Sequence, residues 1–333
     1  MSLWRLASAV PLALSACGPR LPPAAPIPEE AVRHEVLTTE PFRQRLPSTP
    51  ADLVIRYGAE NHGSLETCGC PRRPRGALAR WAGYAEAADA AAPAPSVRLH
   101  AGYWLADALD YMGQPRLDAE EMDRWAMLGL SAAGFDALNV SAHDVAGLVR
   151  VPPDPTLPLV SANISGPGIR KWVIVERGGQ RVGVTGISGE AASMADTSAY
   201  PMVAPSQAAP VLAELVAQTD VVVLLAWNAN EAVRGLLKAV PGIDVVIDAG
   251  FYIDSLPPVL SRGAVWTFAE YQMVRAGELR LTLDAGRVVG AVDRHIDLDD
   301  AVPDRADILS IQRRARTAID AVQREHYGGG GAG

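Results

Sequence analysis

The sequence predicts an α/β fold with mixed sheets, folded as one domain. Three observations carry this. Short apolar, β-rich runs alternate with longer helical ones through most of the 333 residues. The last third changes to strands joined by a hairpin, which a purely parallel stack would not contain. No linker and no internal repeat interrupts the chain after Pro50. Hydrophobic residues make up 49% and charged residues 20%, a globular composition with length enough for a sizeable core.

The elements follow in order. Residues 1–16 read as a signal peptide, with Arg5 in a short positive region and an apolar stretch from Leu6 to Leu14 too short to span a bilayer. Leu14-Ser15-Ala16-Cys17 resembles a bacterial lipobox, which implies a Cys17 acylated on its thiol and anchored in membrane lipid. That places the chain in a bacterial cell envelope, at the outer membrane or the periplasmic face. Residues 17–50 are rich in proline and read as an extended tether. The folded body is expected over 51–300. Leu53–Tyr57 is a strand, Gly76–Ala92 an Ala-rich helix and Val97–Ala101 a second strand. Asp118 is expected to cap a helix running to Phe135, with Glu121 as its capping-box partner. Ala137–Val140 and Leu157–Ala162 are strands, and Gly178-Gly179 marks a hairpin between Trp172–Glu176 and Arg181–Ile187. Pro210–Thr219 is helical. Asp220–Leu225 is an inner strand buried on both faces, Glu231–Val240 a helix and Ile243–Ile247 another buried strand. Val265–Ile296 is mostly β, with a hairpin at Ala285-Gly286. A C-terminal segment, 301–327, carries an amphipathic helix over Asp304–Tyr327, and 328–333 is a flexible Gly tail.

Charge and composition narrow the function. A net charge of −8 supplies no broad positive field, which argues against a nucleic-acid partner. Three Cys exclude a disulfide-dense scaffold, whereas six His leave room for a metal centre. No G-x-G-x-x-G or Walker A sequence occurs.

Five phrases in order carry a more specific resemblance. Glu60-Asn61-His62-Gly63-Ser64-Leu65-Glu66 matches N-D-x-H-G-x-L-E, and His100-Ala101-Gly102-Tyr103 matches D-A-G-D. Phe135 to Asp144 matches G-Y-D-A-V-N-V-G-N-H-E, Pro158 to Asn163 matches P-x-L-S-A-N, and Pro241 to Ile247 matches P-G-I-D-V-I-I. Over roughly Ala51 to Ile296 the chain resembles the N-terminal metallophosphatase domain of the 5′-nucleotidase family, within the calcineurin-like phosphoesterases. The resemblance implies a four-layer α/β/β/α sandwich of two mixed sheets with two divalent metals at the strand ends. In that family the metals activate water against a phosphate ester. The chain ends soon after this region, so the family's C-terminal specificity domain is not expected.

The ligand positions depart from the family. Tyr103, Ala142, Trp227, Gly250 and Tyr252 stand where the usual ligands belong. Glu60 and His62 keep ligand character, and His143 with Asp144 keeps the pair that serves catalysis in the family. One carboxylate and one imidazole cannot offset the repulsion of two close dications. The expectation is a membrane-anchored pseudoenzyme with no cofactor, or with one divalent ion (Zn or Mn) in a remodelled site. A residual phosphoesterase using Glu60, His62, His143 and Asp144 is the competing reading. Cys68-Gly69-Cys70 leaves three further readings open: a local disulfide, a thiolate metal site with His62, or a redox pair. The small-molecule ligand or protein partner is not named by these residues. His34, His295 and His326 are expected at the surface, and Tyr103, Trp104, Trp227, Phe251 and Tyr252 could line an aromatic pocket.

Overall fold

The computed structural model describes residues 27–37, 51–68, 72–91, 94–110, 112–190, 198–250 and 256–327. Cys17, Cys70, Phe251 and Tyr252 lie outside them, as do the signal peptide, the Gly tail and most of the tether.

Two mixed sheets face each other. The first contains β1 (Val32–Leu37), β2 (Leu53–Gly58), β3 (Ser96–His100), β4 (Ala137–Asn139), β5 (Leu159–Val160), β12 (Arg275–Asp284) and β13 (Arg287–Asp297), in the order β1-β13-β12-β2-β3-β4-β5. The second contains β6 (Val173–Arg177), β7 (Gln180–Ser188), β8 (Val221–Trp227), β9 (Val245–Ala249), β10 (Val259–Ser261) and β11 (Ala264–Phe268), in the order β10-β11-β9-β8-β7-β6. Between them lies a core of alternate strand residues, among them Leu53, Ile55, Leu99, Val184, Val223, Leu225 and Ile247.

Helices α1 (Leu78–Ala91), α2 (Ala119–Ala133), α3 (Ala142–Arg150) and α6 (Ala306–Tyr327) bury an apolar face on the outside of the first sheet. Helices α4 (Ala209–Val216) and α5 (Asn230–Ala239) cover the second. This is the four-layer α/β/β/α sandwich. The run Val221–Trp227 is buried throughout because β8 pairs in parallel with β7 and β9 and has helices on one side and the facing sheet on the other. Gly178 and Gly179 both take positive φ, which lets a two-residue turn follow the twist of β6 and β7.

Three local expectations change. Helix α2 begins at Ala119 as expected, but Asp118 makes no side-chain cap. Its carboxylate accepts instead from the Arg116 guanidinium (3.0 Å) and from Gln323 on α6 (2.8 Å), while Glu121 accepts from the Trp125 indole. A capping box forms where none was expected, at the start of α3, between Ser141 and Asp144. Part of the tether segment is sheet: Ile27 is buried and β1 pairs in parallel with β13, His34 beside Asp293 and Val36 beside His295. The apolar and β-branched residues of Val32–Leu37 override the surrounding prolines.

Candidate functional site

The C-terminal ends of β2, β3 and β4 in one sheet and of β7, β8 and β9 in the other converge, the usual place for a ligand site in an open α/β sheet. Glu60, His62, Tyr103 and Asn228 leave these ends with φ of 61°, 50°, 59° and 46°. Non-glycine residues held in that region store strain that the surrounding structure must hold, a pattern concentrated at functional sites. The turns are locked by backbone bonds from Glu60 N to Gly102 O (3.0 Å) and from His62 N to Tyr103 O (3.2 Å). The sheets also approach closely here. Asn139 donates to Ala101 O (2.9 Å) and Ile187 O (3.0 Å), and a Cβ on Gly186 would fall 1.9 Å from its Oδ1.

Aromatic rings occupy the convergence point. The Tyr103 ring lies between the His62 ring (3.8 Å, 21°) and the His143 ring (4.1 Å, 11°). Trp227 stands edge-on to Tyr103 and His143, and its indole N–H donates to Glu60 Oε1 at 3.1 Å. Glu60 and Trp227 are fully buried, and Tyr103 is 4% exposed. The Tyr103 hydroxyl donates to Asp107 at 2.5 Å, and Asp107 also faces the His143 Nδ1 at 3.7 Å. Burial outweighs the Asp107 charge at His62 and pushes its pKa down to about 4; burial lowers His143 as well, against Asp107. Both rings are therefore neutral at pH 7. Burial together with Asp107 raises the Tyr103 phenol far above its ordinary range.

The structure brings Glu60, His62, Tyr103, Ala142, His143 and Trp227 to one place, with Asp144 buried beside them. Its carboxylate accepts from the backbone N–H groups of Tyr103 (2.9 Å), Trp104 (2.7 Å), Leu105 (2.9 Å) and Ser141 (2.8 Å), fixing the loop after β3 to the start of α3. The Ala142 N–H donates to Ser188 Oγ at 2.8 Å, and Gly250 follows β9 with φ 148°. Cys68 is half-buried, and its Sγ accepts from the Arg75 N–H at 3.3 Å. His100 is buried behind the site, with Nδ1 accepting from Gly102 N–H (3.2 Å) and Nε2 facing Asn61 Oδ1 (2.6 Å). Asp107 and Asn139 were missed by sequence reasoning. Asp107 had one signal, its position four residues after Tyr103.

Two histidines expected at the surface are not there. His295 is 1% exposed and His34 is half-buried; His326 is exposed as expected. His295 Nδ1 lies 2.9 Å from Glu270 Oε1 and its Nε2 3.2 Å from Asp293 Oδ2. Burial disfavours the imidazolium, but Asp293 and Glu270 outweigh it and raise the His295 pKa to about 9. The alternation Asp293-Arg294-His295 was correctly read as strand; what the pattern could not show is that β1 covers this edge.

No family model matches the chain, and no curated protein matches its sequence. Solved structures match its fold. A 5′-nucleotidase precursor from Thermus thermophilus aligns with a TM-score of 0.61 at 17% identity, covering 81% of this chain and 59% of that one. A sulfate thiohydrolase from Thermus thermophilus gives 0.61 at 14% identity over 84% and 61%. A calcineurin-like phosphoesterase from Bacillus subtilis gives 0.61 at 15% identity over 82% of this chain and 100% of that one. The fold is that of the 5′-nucleotidase and calcineurin-like metallophosphatase domains. The chain spans about three fifths of the length of the first two of these structures.

Proposed function

We propose that this chain is a membrane-anchored lipoprotein whose metallophosphatase-like domain has lost its dinuclear centre and serves as a binding or envelope-associated pseudoenzyme. The observation that carries the reading is the Tyr103 ring packed between His62 and His143, with Trp227 donating to Glu60. A two-metal site needs several anionic and imidazole ligands around the ions. Here a phenol and an indole fill the same strand ends, and Ala142 offers no side-chain donor. The residues present do not fit two divalent cations, so no hydrolytic step is drawn through them. What the site offers instead is a face of aromatic rings with one half-exposed imidazole, His143, beside the Asp107 carboxylate. Rings with an adjacent hydrogen-bonding pair suit a small ligand with an apolar or sugar-like face.

The test uses the full chain with Cys17→Ser to avoid acylation. The expected result is no phosphate release from nucleoside monophosphates with Mn²⁺ added, and metal content that Glu60→Gln with His62→Ala leaves unchanged. Two equivalents of metal lost in that double variant, with turnover abolished by His143→Ala, would overturn the reading. The anchor is tested separately: the native chain should fractionate with membranes and the Cys17→Ser chain should not.

A further inference from the structure

A second cluster of metal-ligating side chains lies away from the strand ends, at the seam where β1 joins β13. His34 comes from β1, and Asp293 and His295 lie two residues apart on β13, so the latter two project from the same face. One donor atom from each lies within 4.8 Å of the other two. We propose that His34, Asp293 and His295 bind one zinc-class divalent cation that fastens β1 to the sheet.

The spacing fits. Tetrahedral zinc with nitrogen and oxygen ligands sets neighbouring donors about 3.3 Å apart. Asp293 Oδ2 lies 3.2 Å from His295 Nε2 and 3.6 Å from His34 Nδ1. A carboxylate and two imidazoles are the donor set that borderline divalent ions take.

The groups around these three are arranged as supports for ligands. Glu270 Oε1 meets His295 Nδ1 at 2.9 Å, which leaves Nε2 aimed at Asp293. A carboxylate behind a ligating imidazole fixes its tautomer and raises its basicity. The Tyr57 hydroxyl donates to Asp293 Oδ1 at 2.8 Å and the Thr267 hydroxyl to Oδ2 at 2.6 Å, so both carboxylate oxygens are oriented. Tyr57 reaches Asp293 across β12 only because residue 277 is glycine; a Cβ there would sit 2.1 Å from its ring. Thr267 comes from the second sheet. The cluster therefore joins both sheets and the edge strand at one point, with His34 at 19% side-chain exposure as its solvent side.

The consequence is mechanical. Among the described residues β1 is the edge strand of its sheet, and its one strand partner is β13. A cation shared by His34 and two β13 side chains adds a cross-link at that edge, so metal binding and docking of β1 are coupled.

The test uses the full chain with Cys17→Ser, stripped with chelator and titrated with Zn²⁺, and with Co²⁺ as a spectroscopic probe. One equivalent should bind. It should raise the melting temperature and slow hydrogen exchange at the β1 amides, and Co²⁺ should show the absorption of a four-coordinate site. His34→Gln, on the edge strand and not in the core, should weaken binding at least 100-fold while the fold survives. Glu270→Gln should weaken it about 10–100-fold. The proposal fails if no stoichiometric Zn²⁺ binds, if His34→Gln binds as tightly as the parent, or if binding is lost in Glu60→Gln with His62→Ala. That last outcome would place the ion at the strand ends; the proposed function itself falls only with two equivalents of metal and His143-dependent turnover, so the two failures are distinguishable.

Discussion

The strand-end site and the β1–β13 seam hold the same kinds of residue and treat them in opposite ways. At the strand ends His62 and His143 lie against the faces of Tyr103, and burial keeps both neutral. At the seam His295 lies between two carboxylates, which favour positive charge there. One region is held together by rings in contact, the other by charge and hydrogen bonds in a place with little water. Histidine count alone is therefore no guide to chemistry; what faces the imidazole decides. In this chain the convergent strand ends are filled with aromatic rings, while a donor set suited to a cation stands some strands away.

The contrast breaks most easily by removing what each region depends on. Trp227→Ala deletes a buried indole and the N–H that Glu60 accepts, and should cost roughly 3–5 kcal/mol of unfolding free energy. Asp293→Asn keeps the shape of the seam but removes the charge facing His295, and should cost a comparable amount, roughly 3–5 kcal/mol, measured with chelator present. Denaturant unfolding reads both. Added salt should change the second penalty little, since the pair is buried, and the first not at all. If Asp293→Asn costs under about 1 kcal/mol, the seam is not held by charge and the contrast fails.

A pH-dependent effect separates the two kinds of histidine. His100 accepts from Gly102 N–H and is surrounded by protein, and burial pushes its pKa down to about 3. The unfolded chain takes up a proton below the ordinary value of 6.5 while the folded chain stays neutral to about 3. Unfolding free energy should therefore fall as pH drops through that window, by up to about 1.4 kcal/mol per unit. His100→Gln should remove that part of the slope between pH 6 and 4. An unchanged slope would show that the ring protonates in the folded chain.

Much of this arrangement was legible in the sequence, and the limits have physical causes. The strands were readable because burial on both faces leaves continuous apolar runs such as Val221–Leu225, and the five phrases from Glu60 to Ile247 placed the strand ends. Asp118 was read as a cap because its spacing to Glu121 fits one, but Arg116 and Gln323 compete for its carboxylate and the latter comes from a helix about two hundred residues away. The seam was invisible for the same reason. His34 sits among prolines and His295 in an alternating strand, and nothing local says that β1 pairs with β13. Residues whose role depends on neighbours in sequence were found; those whose role depends on a strand crossing the fold were not.

The smallest predicted effect sharpens what Tyr103 does. Its ring fills space between two imidazoles, and its hydroxyl donates to Asp107, which is partly open to solvent. If the ring is what matters, Tyr103→Phe should keep the stack and lose only the hydrogen bond, about 0.5–1.5 kcal/mol, while Tyr103→Ala should lose several times more. The phenylalanine variant also releases the Asp107 carboxylate from the phenol, so the His143 ring, which faces it at 3.7 Å, should titrate at higher pH, read from its proton resonances. A Tyr103→Phe chain as unstable as Tyr103→Ala would mean that the hydroxyl–Asp107 bond, and not ring packing, holds the strand ends closed.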